Sequence, residues 1–214
     1  KFLPNWLPKI YSFLVFLIIL QGTLGALTVI NMLSSLSVMS HLLIAFIILI
    51  TAIYVNQALI NKAMDKNILW WKYLLSIPLS LTLVQSVIGV RLSSTWSAHL
   101  CLSMNQNCIV LNSHKLFAIP VFISVISIIL VSFLKFDLFK NNWKFLISAF
   151  LLLISQITLG VLSLKTNLNE PLIIISHQIV ASLMVATLST LIFKNSSENI
   201  LINSTKNNVI LSFN

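Results

Sequence analysis

Acidic residues are almost missing from this chain. Only four of its 214 residues are Asp or Glu, and charged residues of both signs make up 8% of it. A water-soluble domain carries about a quarter charged residues, whereas 58% of this chain is hydrophobic and its mean hydropathy is +1.00. This composition excludes a soluble globule and indicates a membrane protein.

Glycine and carboxylates are too scarce for several common sites. Four glycines, all within helical motifs, cannot build a glycine-rich phosphate loop. Asp65 and Asp137 fall among the cations of one membrane side, away from every histidine, so a Ser-His-Asp triad is excluded. Glu170 is the one acidic residue expected on the other side, which leaves that side without the carboxylates of a hard-ion site.

Six apolar runs are each long enough to cross a membrane, which takes roughly 20 residues. Irregular backbone or an open sheet edge would leave polar groups without partners in lipid, so strands are excluded and each run is a helix. The sequence therefore predicts an all-α integral membrane protein with six transmembrane helices, at residues 10–32, 38–58, 69–90, 116–134, 145–164 and 172–193.

The net charge of +9 is explained by topology rather than by nucleic acid, because cytoplasmic connections retain Lys and Arg. Ten of the thirteen cations fall on one side, which places both termini in the cytoplasm. Residues 195–214 are rich in Asn and Ser and are predicted to be a disordered cytoplasmic tail. The ten cations are Lys1, Lys9, Lys62, Lys66, Lys72, Lys135, Lys140, Lys144, Lys194 and Lys206.

A repeat carries most of the rare residues. Each odd-numbered span ends with Gln-x3-Gly, and each even-numbered span opens with His-x3-Ala. A spacing of four puts both residues of a motif on one helix face, where the small residue lets a flat group or another backbone approach. The pairs are Gln21 and Gly25, Gln85 and Gly89, Gln156 and Gly160, then His41 and Ala45, His114 and Ala118, His177 and Ala181.

The histidines indicate a ligand site. An ionisable residue inside a membrane segment indicates function, and two histidines on facing helices can hold a haem iron from both sides. The alternatives are an interfacial polar residue for each histidine and ordinary small-residue helix packing for each Gly or Ala. Three copies at matching depth favour ligation.

Three cations break the charge asymmetry, and each lies close to a motif on the histidine side. Arg91 follows Gly89 by two residues, Lys115 is next to His114, and Lys165 lies five residues after Gly160. Haem propionates would be paired by such cations. The alternative is that all three are snorkelling side chains.

Cys101 and Cys108 lie in the longest outer loop, with His99 nearby. A disulfide is favoured because this side is oxidising. A zinc site would need four ligands where only three candidates stand, and two thiols are the remaining alternative.

Taken in order, these motifs resemble the heme A synthase family in its shorter bacterial form, over the whole stretch from the first span to the sixth. The resemblance rests on the segments QGTLGALTV, QSVIGVR and QITLG, on His41 with Ala45, on the outer-loop cysteines followed by Asn-Ser-His114, and on Glu170-Pro171 leading to His177.

The resemblance implies a membrane oxidoreductase that converts haem O to haem A, by oxidising a ring methyl group to a formyl group, for cytochrome oxidase. It also implies that His114 and His177 are the axial pair of a haem b cofactor, that His41 serves the substrate haem, and that Cys101 and Cys108 form a disulfide. Lys115 replaces the Arg more usual there, which keeps the charge but not the forked donor geometry. Expected partners are haem O and haem A, a haem O synthase or oxidase assembly proteins, and the lipid bilayer of a bacterial plasma membrane or its equivalent; nucleic acid is not expected.

The family has two further helices upstream, which carry the second ligand of the substrate haem and the catalytic carboxylate. No catalytic residue is visible here, and those residues are expected before Lys1. Residues 1–66 then correspond to the rest of an N-terminal four-helix half, and residues 67–194 to a C-terminal four-helix, haem-binding bundle. The rival interpretations are a non-catalytic bis-histidine haem b cytochrome and a transporter. The transporter is disfavoured because the histidines lie near the helix ends rather than at the midplane.

Overall fold

The computed structural model describes residues 4–60, 69–94 and 108–194. Within these ranges every regular element is an α-helix. The helices are α1 (Leu7–Ile30), α2 (Ser35–Ile60), α3 (Leu69–Ser94), α4 (Ile109–Leu134), α5 (Phe136–Lys165) and α6 (Pro171–Phe193). All six are long and apolar enough to cross a membrane, which confirms the predicted all-α, six-span membrane fold.

Two helices begin well before the apolar runs from which they were predicted. The helix α4 starts at Ile109 rather than at residue 116, and α5 starts at Phe136 rather than at residue 145. Hydropathy marks only the apolar part of a helix. The backbone hydrogen bonds of the same helix continue into the polar interface, where its side chains are hydrated. The early start of α4 places His114 inside the helix, beyond its first turn.

The last four helices form a four-helix bundle, as expected from the resemblance. Each contacts its two neighbours in the ring α3, α4, α5, α6 and back to α3, so that α4 and α6 face each other diagonally. The helices α1 and α2 pair as a hairpin outside this ring, and α2 attaches the hairpin to the bundle through contacts with α3 and α6.

The main apolar core fills the bundle on the side away from the histidines. Fully buried side chains from all four bundle helices meet there, and Phe46 of α2 joins them. The cluster contains Trp71, Leu75, Leu79, Val125, Ile128, Leu146, Ala149, Leu153, Met184, Val185, Leu188 and Leu191. We call the opposite end of the bundle, where the histidines lie, the histidine end.

A second, smaller apolar cluster closes the histidine end. Leu92 at the end of α3 and Leu111 at the start of α4 are buried there, and Cys108, Leu164 and Leu168 pack against them. The Gln and His motifs of the bundle thus lie between two apolar layers.

The loops after α1 and α5 have the same backbone conformation. Met32 and Leu33 have φ of 48° and 60°, and Asn167 and Leu168 have φ of 52° and 58°. The amides of Leu33 and Leu168 each donate to the carbonyl five residues earlier, at 2.8 and 2.9 Å. The sequence repeat is therefore also a repeat of structure, in which α1–α2 and α5–α6 are copies of one hairpin.

We expect Met32→Gly to stabilise the protein and Leu168→Gly to destabilise it. The left-handed conformation costs a non-glycine residue about 1–2 kcal/mol, and Met32 is 89% exposed, so glycine removes strain there without loss of packing. Leu168 packs in the cluster at the histidine end, and its removal loses that contact. In circular-dichroism melts in detergent, the melting temperature of Met32→Gly should be roughly 2–4 °C above that of the wild type. A melting temperature below that of the wild type would contradict the assignment of strain.

Candidate functional site

Each Gln-x3-Gly motif lies against the histidine of the next helix. The side-chain amide nitrogen of Gln21 lies 3.1 Å from Nε2 of His41. That of Gln156 lies 3.0 Å from Nε2 of His177. Both are ordinary hydrogen-bond lengths. We call each Gln, Gly and His set a Gln–His unit.

The glycine of each unit makes room for the imidazole. A Cβ built on Gly89 would lie 3.0 Å from Cε1 of His114, and at Gly25 and Gly160 the equivalent distances are 3.2 and 3.3 Å. A Cβ on Gly22, in contrast, would meet nothing within 4 Å. The Cε1–Nδ1 edge of each ring therefore lies against the glycine, a close approach that the small residue of the motif allows.

The middle unit differs from the other two. The Gln85 amide donates to the backbone carbonyl of His114 at 2.9 Å, and its distance to the imidazole Nε2 of the same residue is 3.5 Å. That second contact is longer than a typical hydrogen bond. The amide of Gln85 is thus anchored on the backbone of α4 rather than on the imidazole.

Unsatisfied polar atoms are concentrated in these units. Within the described residues, eight buried side-chain nitrogen and oxygen atoms have no hydrogen-bond partner, and six of them belong to the Gln–His units. An unpaired buried group costs about 1–3 kcal/mol, so such a concentration is typical of a site built for a ligand. The six atoms are Oε1 of Gln21, Gln85 and Gln156 and Nδ1 of His41, His114 and His177.

Two of the three histidines belong to the four-helix bundle. His114 is on α4 and His177 on α6, the diagonal pair of the ring, and each imidazole lies against the motif of the preceding helix. Two imidazoles that face each other across a bundle can ligate one iron from opposite sides. His41 belongs to α2, outside the ring.

The alanines of the His-x3-Ala motifs are partly buried, one turn further along each helix. Ala45, Ala118 and Ala181 all have intermediate exposure. Like the glycines, they keep side-chain volume low beside the imidazoles.

The three outer cations lie at the histidine end and are exposed. Arg91 is in the last turn of α3, Lys165 is the last residue of α5, and Lys115 directly follows His114. Glu170 is exposed at the N-cap of α6 on the same end. Among the described residues at this end, cations therefore outnumber anions.

The expected cysteine pair is only partly within the described residues. Cys108 is half-buried as the N-cap of α4 and packs against Leu92 and Leu111. Cys101 and His99 lie outside the described residues, as does the tail from residue 195 onward. The disulfide and the disordered tail stay predictions.

The sequence identified the members of each unit but not their pairing. The glutamines were predicted to be pocket or packing residues, and the structure places their amides on the imidazoles or, for Gln85, on the carbonyl of His114. The separations from Gln to His are 20, 29 and 21 residues. They could have indicated this pairing, because each is about one hairpin long. Two antiparallel helices joined by a loop bring such residues to the same depth.

The fold and the site define an integral membrane helical bundle with repeated histidine units at one end. A family model described as "Cytochrome oxidase assembly protein", COX15-CtaA, matches residues 1–189. The chain belongs to this family. Comparison with curated proteins found no match, and comparison with solved structures found none either.

We expect Gly89→Ala to destabilise the protein more than the same change at Gly25 or Gly160, because its Cβ would come closest to an imidazole. Overpacking costs about 1–3 kcal/mol, so the melting temperature should fall by several degrees. Gly22→Ala is the matched control, since its methyl group enters open space and alanine favours helix. Equal melting temperatures for Gly89→Ala and Gly22→Ala would show that the imidazole does not lie against Gly89.

Proposed function

We propose that this chain is a haem A synthase-type membrane oxidoreductase, in which His114 and His177 are the axial pair of a haem b. The reaction proposed is oxidation of a methyl group of haem O to the formyl group of haem A, for cytochrome oxidase assembly. The observation that carries the proposal is the pair of Gln–His units whose histidines lie on the diagonal helices α4 and α6. Membership of the cytochrome oxidase assembly family supports it.

The residues at this level fit a haem. Neutral imidazole is a common axial ligand, and Gly89 and Gly160 let the imidazoles of His114 and His177 approach the preceding helix closely. The apolar layers on both sides suit a macrocycle, and the side-chain oxygens Oε1 of Gln85 and Gln156 are buried there without a hydrogen-bond partner. A bound haem would supply electron-transfer chemistry.

The other residues of the site bind, orient and shield. The cluster of Leu92 and Leu111 would shield the imidazoles from water at the histidine end of the bundle. Arg91, Lys115 and Lys165 are assigned to the two propionates, since exposed cations at that end can pair with carboxylates in charge-assisted hydrogen bonds. Lys115 would do so as a single point charge.

His41 is assigned to the side that receives the substrate haem O. Its unit repeats the Gln–imidazole contact and the glycine of the bundle units, but on the separate hairpin α1–α2. Residues 67–194 then act as the cofactor half, and residues 1–66 contribute to the substrate half. A haem O synthase would supply the substrate, and oxidase assembly proteins would receive the product.

The proposed topology puts both termini in the cytoplasm of a bacterium, or its equivalent, and the histidine end on the opposite side. The charge distribution supports this orientation. A disulfide between Cys101 and Cys108 is proposed on the same ground, because that side is oxidising. It would brace the loop next to Leu111.

Purified protein should show the reduced-minus-oxidised spectrum of a low-spin haem b. We expect His114→Ala and His177→Ala each to lose that spectrum, because one axial ligand is removed. His41→Ala should keep it, since His41 lies outside the bundle, and is the matched control. A wild-type protein that contains no haem would overturn the ligand assignment.

Cells that lack the gene should lose haem A and accumulate haem O. Haem extraction followed by chromatography measures both, and a plasmid copy should restore haem A. If haem A is unchanged while the protein still binds haem b, the synthase activity is rejected and the chain is a bis-histidine electron-transfer cytochrome.

A further inference from the structure

The two axial imidazoles assigned above are held unequally by their glutamines. At His177 the amide of Gln156 is directed at the ring, 3.0 Å from Nε2. At His114 the amide of Gln85 is directed at the backbone carbonyl, 2.9 Å away, and Nε2 is 3.5 Å distant. Nε2 of His177 therefore has a close hydrogen-bond partner, whereas Nε2 of His114 has only a long contact with its glutamine.

The opposite edge of each ring is closed to a large ligand. A Cβ on Gly89 would lie 3.5 Å from Nδ1 of His114, and one on Gly160 would lie 3.8 Å from Nδ1 of His177. Nδ1 thus faces the neighbouring helix at contact distance, and no porphyrin fits between them. Nε2 is the nitrogen through which an iron can be reached.

A ring nitrogen cannot serve the amide and a metal at once. If the amide N–H donates to Nε2, it uses the single lone pair that iron needs. If the amide is turned, Nε2 carries the proton that it donates to Oε1, and again no lone pair is available. In both arrangements Gln156 must release His177 before that histidine can ligate.

We propose that Gln156 guards the imidazole of His177, so that His114 ligates a haem iron first and His177 second. The proposal rests on the function proposed above, in which these histidines are the axial pair. Gln85 leaves its imidazole accessible because the carbonyl of His114 gives its amide another acceptor. Gln156 then controls how fast the six-coordinate site forms.

The test is haem loading of the full chain in lipid nanodiscs, stripped of haem and mixed with haemin in a stopped-flow spectrometer. We expect a fast uptake phase with a high-spin spectrum and a slower conversion to a low-spin spectrum. Gln156→Leu should speed the slow phase by roughly two- to tenfold, because it removes one neutral hydrogen bond that must otherwise break before His177 can ligate. Gln85→Leu should leave the rate of that phase unchanged.

Two further variants provide a second test of Gln156 and a control. Gln156→Asn retains an amide that is one methylene too short to reach Nε2, so it should speed the slow phase like Gln156→Leu even if leucine disturbs folding. Gln178→Leu is the matched control, because Gln178 is exposed on α6 directly after His177. It should behave as wild type.

The outcomes separate this proposal from the function on which it rests. If the wild-type protein takes up no haem, the axial-pair assignment is wrong. If it takes up haem but the slow phase is unchanged or slower in both Gln156 variants, the guarding role is overturned and the assignment of the histidines stands. A slow phase that speeds up in Gln85→Leu instead would reverse the order of ligation and also reject the proposal.

Discussion

The contact between a glutamine amide and an imidazole, made beside a glycine, is the interaction on which the rest of the site depends. It brings a polar group on an odd-numbered helix to the depth of a histidine on the next helix, and so sets the vertical alignment of each hairpin. In lipid this is effective because neither partner has water as an alternative. The same contact recurs in α1–α2 and α5–α6, and in α3–α4 it is diverted to the backbone.

The packing of the bundle changes along its length. Away from the histidines, Leu75, Val125 and Val185 are completely buried and belong to a continuous apolar core. At the histidine end the packing changes to glycines, alanines and half-buried polar side chains, with unpaired nitrogen and oxygen atoms. The solid core holds the four helices in place, while the histidine end carries the small residues against which the imidazoles pack.

Much of the fold was predictable because lipid allows few solutions. The six helices and their order follow from the apolar runs, since a backbone without water must be helical. The helix starts were predicted less well: the polar residues from Asp137 to Lys144 hid the first two turns of α5, and those before Leu116 hid the start of α4, because hydropathy does not register backbone hydrogen bonds at the interface. The members of each unit were found through their spacing of four. Their partners were not, because pairing between helices depends on loop length and rotation.

By itself, the sequence determined the membrane class, the number of spans and the residues that recur. All three follow from local composition and from the period of a helix. Only the tertiary structure decided that each glutamine meets a histidine, that α4 and α6 lie diagonally, and that Gln85 and Gln156 hold their histidines differently. Those facts depend on how the helices pack and rotate against one another, which local sequence patterns do not specify.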